Sequence, residues 1–334
     1  METKDVIQRI QGALMGVALG DALGMPVETM KCAEIAALNN GQGVTGFMDP
    51  VQRKIEEMAK LKAGDTTDDW QLTEVVARSL IRMKGEFDVL DCASEHVVAL
   101  VKSTFGWGRT TQIAIEEIRD RKRNLNLPPQ SLGPGKGCGN GIIMKVAPLA
   151  LIHPLRRRSK NLSTWCMELS RITHPDDRAG VTAYAVATLM RHCFITPIEN
   201  GNHTPLLKRI IRSVEDLEIT LEHSEEQVST RLTKLYECLE SAEHLRTTVG
   251  CGFHALDSAA FAIGTFLRHP TNFRVGVLEA INAGGDTDTH GSIVGALIGA
   301  NCGINAIPEE WQTFNPLFAE ALELGEKLFA AGRS

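Results

Sequence analysis

Apolar positions recur at helical spacing along almost the whole chain, and the alternation expected of strands is scarce. Ile7, Ile10, Leu14, Val17 and Ala18 form one apolar face, which ends near Gly20-Asp21-Ala22-Leu23-Gly24. A loop is expected from Lys31 to Gly64, with turn signals at Asn39-Asn40-Gly41 and Asp49-Pro50. Leu72, Val75, Val76, Leu80 and Met83 predict the next helix, and Leu90–Val101 and Ile113–Ile118 predict two more. Between Asn124 and Gly141 the periodicity breaks at Pro128-Pro129 and at a glycine-rich run from Gly133 to Gly141. Helices are expected again over Ile142–Ile152, Trp165–Ile172 and Asp176–His192, followed by a polar connection from Ile195 to Thr204. Leu206–Leu217 and Gln227–Leu245 read as amphipathic helices. The small residues of Phe253–Phe266 predict a tightly packed helix, Phe273–Ala283 another, and the segment from Gly284 to Gly303 a Gly/Ala-rich one. A last helix is expected near Pro316–Ala330. No linker long enough to divide the chain interrupts this pattern. The expectation is an all-α fold in one compact domain, residues 1–334.

Composition narrows the class. A hydrophobic content of 43% is ample for a sizeable core, and a net charge of −6 is the wrong sign for a general nucleic-acid or membrane-surface binder. No apolar run is read as reaching the roughly 18 residues of a spanning helix. The charged start Met1-Glu2-Thr3-Lys4-Asp5 lacks the apolar core of a signal peptide. The eight cysteines are scattered without a Cys-x-x-Cys pair, so they are expected as buried thiols in a reducing, cytoplasmic setting and not as a zinc site.

Chemistry concentrates in two oxygen-rich stretches. Gly284-Gly285-Asp286-Thr287-Asp288-Thr289 sets two carboxylates at i and i+2 beside threonine hydroxyls, and Asp65-Thr66-Thr67-Asp68-Asp69 opens a helix far upstream. Asp and Thr are ordinary helix N-caps, but capping needs one such residue and each stretch has at least four. Adjacent carboxylates repel unless protons or a cation neutralise them, and hard oxygens suit Mg²⁺, Mn²⁺ or Ca²⁺. The two stretches are therefore expected to meet around a metal centre. The run Gly137-Cys138-Gly139-Asn140-Gly141 lets backbone amides approach a ligand, although no Gly-Lys-Ser/Thr ending makes it a P-loop.

Five segments, in order, resemble the ADP-ribosylglycohydrolase family. They are Gly12-Ala13-Leu14-Met15-Gly16 through Gly24; Thr67-Asp68-Asp69; Gly139-Asn140-Gly141 with Met144 and Pro148; Thr173-His174-Pro175; and Gly284–Thr289, followed by Gly295-Ala296 and Ile307-Pro308. Each is weak alone, while the ordered set spans the chain and is specific. The resemblance implies an orthogonal helical bundle holding two Mg²⁺ or Mn²⁺ ions on Thr67, Asp68, Asp69, Asp286, Asp288 and Thr289. It implies hydrolysis of the glycosidic bond that joins ADP-ribose to a protein side chain, in first place arginine. The same fold acting on O-linked serine or another ADP-ribose derivative, or binding ADP-ribose without turnover, are the alternatives. Asp69 and Glu28 compete as the group that handles protons; Glu28, in apolar surroundings, reads equally as a surface carboxylate. Gly137, Cys138, Gly139, Asn140, Gly141 and His174 are implied to line the diphosphate and ribose, with Arg109 a weaker phosphate partner. Trp70 stands where the family commonly has a threonine, and His290 where it has a small apolar residue. The expected partner is an ADP-ribosylated protein or ADP-ribose derivative met by a monomer, with neither nucleic acid nor membrane involved.

Overall fold

In a computed structural model the described residues are 2–51, 60–125, 129–132, 137–156, 161–199, 201, 203–221 and 225–334. Part of the Lys31–Gly64 loop, Pro128, Gly133–Lys136 and parts of the Ile195–Thr204 connection lie outside them. Among the described residues the chain is all helix and turn, with two isolated backbone bridges, Lys31 to Gly284 and Gly139 to His254. The first helices are α1 (Thr3–Gly24), α2 (Cys32–Ala36), α3 (Asp68–Arg82), α4 (Val89–Lys102), α5 (Arg109–Arg119) and α6 (Ala147–Ile152). Next come α7 (Leu162–Thr173), α8 (Asp177–Ile195), α9 (Thr204–Glu218), α10 (Val228–Thr233) and α11 (Ala242–Val249). The chain ends with α12 (Ala255–Arg268), α13 (Phe273–Asn282), α14 (Thr287–Cys302), α15 (Glu309–Gln312) and α16 (Leu317–Gly332).

The bundle is assembled around α1 and α14. From Thr287 to Asn301 every residue of α14 is buried, as a helix without a polar face requires. Glycines four apart on each helix face one another in antiparallel order. A Cβ added at Gly16 would fall 2.2 Å from the Gly295 carbonyl oxygen, one at Gly20 would fall 2.1 Å from the Gly291 carbonyl carbon, and one at Gly12 would fall 2.8 Å from the Gly299 oxygen. The two backbones touch, and any larger side chain would hold them apart. This contact delivers the C-terminal end of α1 to the N-terminal end of α14, where the acids are. Around the pair, Trp165, Phe194, Phe261, Phe266, Phe273 and Phe318 fill the core.

Four sequence expectations change. The Gln227–Leu245 helix is two helices, because a tight turn at Lys234–Tyr236 ends α10 and Ser241 starts α11 by accepting from His244 N at 3.1 Å. Ile142–Ile152 is helical only from Ala147, with Pro148 in the first turn, where its missing N–H is harmless. The Lys31–Gly64 loop contains α2, whose Glu34 carboxylate accepts from Lys31 N at 2.7 Å. Finally, Thr3–Val27 is long and apolar enough to cross a membrane, contrary to the reading from the sequence; 94% of its apolar window is buried inside the fold, packed on α14 and α16.

Candidate active site

Two helix starts supply the acids. Asp68 and Asp69 occupy the first turn of α3, with Thr67 before it; Asp288 and Thr289 occupy that of α14, with Asp286 before it. Carboxylates are favoured at this end of a helix, but neither Thr67 nor Asp286 caps its own helix with its side chain. Thr67 donates its hydroxyl to Asp21 Oδ1 at 2.8 Å, and the backbone amides of Thr67 and Trp70 donate to the same carboxylate. Asp21, wholly buried on α1, thus fixes the entry of α3. At the other helix, Gly284 and Gly285 turn the chain with φ of +79° and +80°. Gly285 passes so close to Cys251 that a Cβ would lie 2.0 Å from its carbonyl oxygen. Gly285 N donates to Met30 O and its carbonyl accepts from Thr29 N, which ties the Glu28 loop to α14.

These elements enclose a cavity of about 250 Å³ with two unlike walls. One is acidic: Glu28, Asp68, Asp69, Asp286 and Asp288, with Thr289. One carboxylate oxygen from each of Glu28, Asp286 and Asp288 lies within 4.8 Å of the others, and Thr289 Oγ1 donates to Asp69 Oδ2 at 3.3 Å. Asn140 Nδ2 donates to Asp286 and, at 2.8 Å, to Ser258 Oγ. The second wall is made of Gly139–Gly141, His174, Phe253 and the start of α5, with Arg109 at the rim. Asn140 N donates to Phe253 O and Ala255 N to Cys138 O, so the glycine run is pinned to the entry of α12.

The acids raise one another's proton affinity. The charge of Asp288, followed by burial, pushes Glu28 up to about 8; burial, followed by Asp288, pushes Asp21 up to about 7. Burial and the charge of Asp288 also hold Asp68, Asp69 and Asp286 well above the usual carboxylate range, and burial raises Asp288 itself. Glu28 was expected to owe its shift to apolar surroundings; the neighbouring charge comes first. Asp69 Oδ1 is buried with no hydrogen-bond partner. An orphaned carboxylate oxygen among mutually repelling acids is what a hard divalent cation satisfies, and this donor set, all oxygen, could bind one.

Of the residues singled out from sequence, Glu28, Asp68, Asp69, Gly139, Asn140, Gly141, His174, Asp286, Asp288, Thr289 and Arg109 line the cavity. Thr67 lies behind it on Asp21, Gly137 packs on Pro175, and buried Cys138 serves through its carbonyl. Trp70 is buried away from the cavity, and His290 is buried against Phe261 with ring centroids 4.9 Å apart. Sequence reasoning passed over Asp21 and Phe253. An aspartate inside an apolar helix was the available signal for the first; Phe253, half exposed at the mouth, carried none.

The fold and site define a class: an all-helical protein whose cavity sets a cluster of buried acids beside a glycine-rich run. The ADP-ribosylglycohydrolase family profile matches residues 2–334, and the chain belongs to that family of glycosidic-bond hydrolases. It is 26% identical to ADP-ribosylhydrolase ARH3 of Mus musculus, over 96% of this chain and 91% of that one. It is 27% identical to ADP-ribosyl-[dinitrogen reductase] glycohydrolase of Rhodospirillum rubrum, over 93% and 91%. A solved structure described as an ADP-ribosylglycohydrolase-related protein complex shares the fold, with a TM-score of 0.73 and 24% identity over 98% and 99%.

Proposed function

We propose that this chain, as a single domain, hydrolyses the N-glycosidic bond between ADP-ribose and an arginine side chain of a protein. The observation that carries the arginine reading is the acidic wall. The four aspartates of that wall are those proposed below to hold ions, and Glu28, partly buried and facing the cavity, is the carboxylate left to meet a guanidinium leaving group in preference to a neutral hydroxyl. The opposite wall suits a diphosphate: the first-turn amides of α5 have no partner within the helix, and Arg109 stands beside them.

Thr67, Asp68, Asp69, Asp286, Asp288 and Thr289 would hold two Mg²⁺ or Mn²⁺ ions, the Thr67 oxygen keeping a lone pair beyond its bond to Asp21. Once bound, such ions supply positive charge that orients ribose hydroxyls and makes a nearby water more acidic. The raised proton affinity of Glu28 comes first from Asp288. Positive charge beside Asp288 would lower the proton affinity of Glu28 toward the carboxylate, the form that accepts a proton from water. Water oxygen bonds to the anomeric carbon as the carbon–nitrogen bond breaks, and the proton held on Glu28 Oε passes to the departing guanidine nitrogen. Asp69 is better suited to holding a cation, because its Oδ2 already accepts from Thr289 and its Oδ1 is sealed from solvent. The free, mostly buried cysteines support a reducing, cytoplasmic setting.

The test is turnover on defined peptides carrying arginine- or serine-linked ADP-ribose, with Mg²⁺, Mn²⁺ or chelator. Release from the arginine peptide alone, abolished by chelator, is the expected result. Release from the serine peptide alone overturns the acceptor assignment, and binding of ADP-ribose without release from either overturns the hydrolytic one.

A further inference from the structure

Beside the glycine run lies a buried cation, Lys145, that feels the charge of Asp68 but forms no ion pair with the acid cluster among the described residues. Lys145 is 0% exposed, and Nζ donates to Thr173 Oγ1 at 2.9 Å. That oxygen lies 2.9 Å from His174 Nδ1. The far side of the imidazole faces the glycine run: a Cβ at Gly141 would lie 3.2 Å from Nε2, and one at Gly139 would lie 3.3 Å from it. The ring is held in place from its backbone, with His174 N donating to Ser170 O at 2.7 Å and Ser170 Oγ to His174 O at 2.6 Å.

Counting protons along this line fixes the ring. An ammonium only donates, so Lys145 takes a lone pair of Thr173 and cannot receive its proton. The threonine hydroxyl proton then has one acceptor among the described residues, His174 Nδ1. A nitrogen that accepts carries no proton, so in the neutral ring the proton sits on Nε2, toward the cavity. Burial, with the charge of Lys145, holds His174 neutral, and burial lowers Lys145 only to about 8, which leaves it charged at neutral pH. An ammonium sealed in the core on a hydroxyl partner is costly, and its contribution here is to set the direction of the relay.

We infer that Lys145 and Thr173 are positioning residues that lock His174 as an Nε2–H donor to a phosphate or ribose oxygen lying along Gly139–Gly141. The inference rests on the ADP-ribose reading for the identity of that oxygen, while the ring tautomer stands apart from it. The experiment is ¹⁵N-histidine NMR of the full chain, together with KM and kcat on the arginine-linked peptide and calorimetry with ADP-ribose. Wild type should show a single Nε2–H tautomer for His174. T173V removes the hydroxyl proton at nearly constant volume and should mix the tautomers. It should also raise KM and weaken ADP-ribose binding by about tenfold, with kcat little changed, as for loss of a bond present throughout the reaction. T173S should restore both, which a packing role would not require; K145M should behave like T173V, and if it does not fold the threonine pair carries the test. An Nδ1–H ring in wild type, or T173V with unchanged tautomer and affinity, overturns the inference. If ADP-ribose does not bind although the wild-type ring is Nε2–H and T173V mixes it, the relay is supported and the ligand reading falls.

Discussion

Asp288 contributes to the raised proton affinity of Glu28, Asp21, Asp68, Asp69 and Asp286, so the acids behave as one coupled group centred on it. Replacing it separates cation holding from proton handling. The native chain should gain Tm on adding Mg²⁺ or Mn²⁺; D288A should lose that gain, and its turnover should fall by about 100-fold or more. E28Q should keep that rise in Tm while kcat drops by about 10²–10⁴, the range of a lost acid–base group. Thermal melts with and without the ion, run beside peptide turnover, check both. A lost Tm rise in E28Q would instead make Glu28 a cation ligand alongside Asp286 and Asp288, whose oxygens it approaches within 4.8 Å. Asp21 shows what a residue pattern hides. Its neighbours in α1 are apolar and its three donors come from Thr67 and Trp70, so its role exists only after α1 and α3 meet.

Among the elements, the α1–α14 pair decides whether the site exists. On helix propensity alone, alanine would improve on glycine by about 1 kcal/mol. At Gly16 and Gly20 the opposing backbone leaves no room: the added methyl would sit 2.2 and 2.1 Å from it. Overpacking then wins, costing about 1–3 kcal/mol or more. G16A and G20A should each lower Tm and weaken cation binding, because the ends that carry Asp21 and Asp288 are forced apart. G46A, which faces open space, is the control and should change neither. Denaturant melts and cation titration of the three variants test this. The split of Gln227–Leu245 into α10 and α11 belongs to the same scale: an amphipathic pattern passes unbroken through a turn, and the Ser241 cap decides locally what periodicity averages over.

At the level of the whole molecule, the coupled acids set the response to pH. Glu28 binds its proton up to about pH 8 when folded, against an ordinary value of 4.5, and Asp21 up to about 7 against 3.8. Between these limits the folded chain holds protons that the unfolded chain has released, so stability falls as pH rises. The buried His96 and His290, lowered to about 3 from 6.5, act in the opposite sense, but only below about pH 6.5. From pH 6.5 to 8 the acids prevail. The cation-free chain should therefore lose Tm across that window. The Tm gain from a saturating divalent ion should grow from pH 6.5 to 8, since the ion no longer competes with bound protons. Calorimetry in chelator and in Mn²⁺ or Mg²⁺ at the two pH values measures it, and a flat chelator curve would count against the coupling.

Local chemistry made the helical class, most helix positions and the two oxygen-rich stretches legible in the sequence, because helix period, cap preference and like-charge clustering are written in neighbouring residues. Tertiary structure alone decided how those stretches are used. It packed α1 against α14 inside the fold, bonded the Thr67 hydroxyl to Asp21, and placed Trp70 and His290 in the core away from the cavity. It also brought Phe253 to the mouth and aligned Lys145, Thr173 and His174 behind the glycine run. The physical reason is that burial, backbone contact and the field of a distant carboxylate depend on distances through space, which spacing along the chain does not carry.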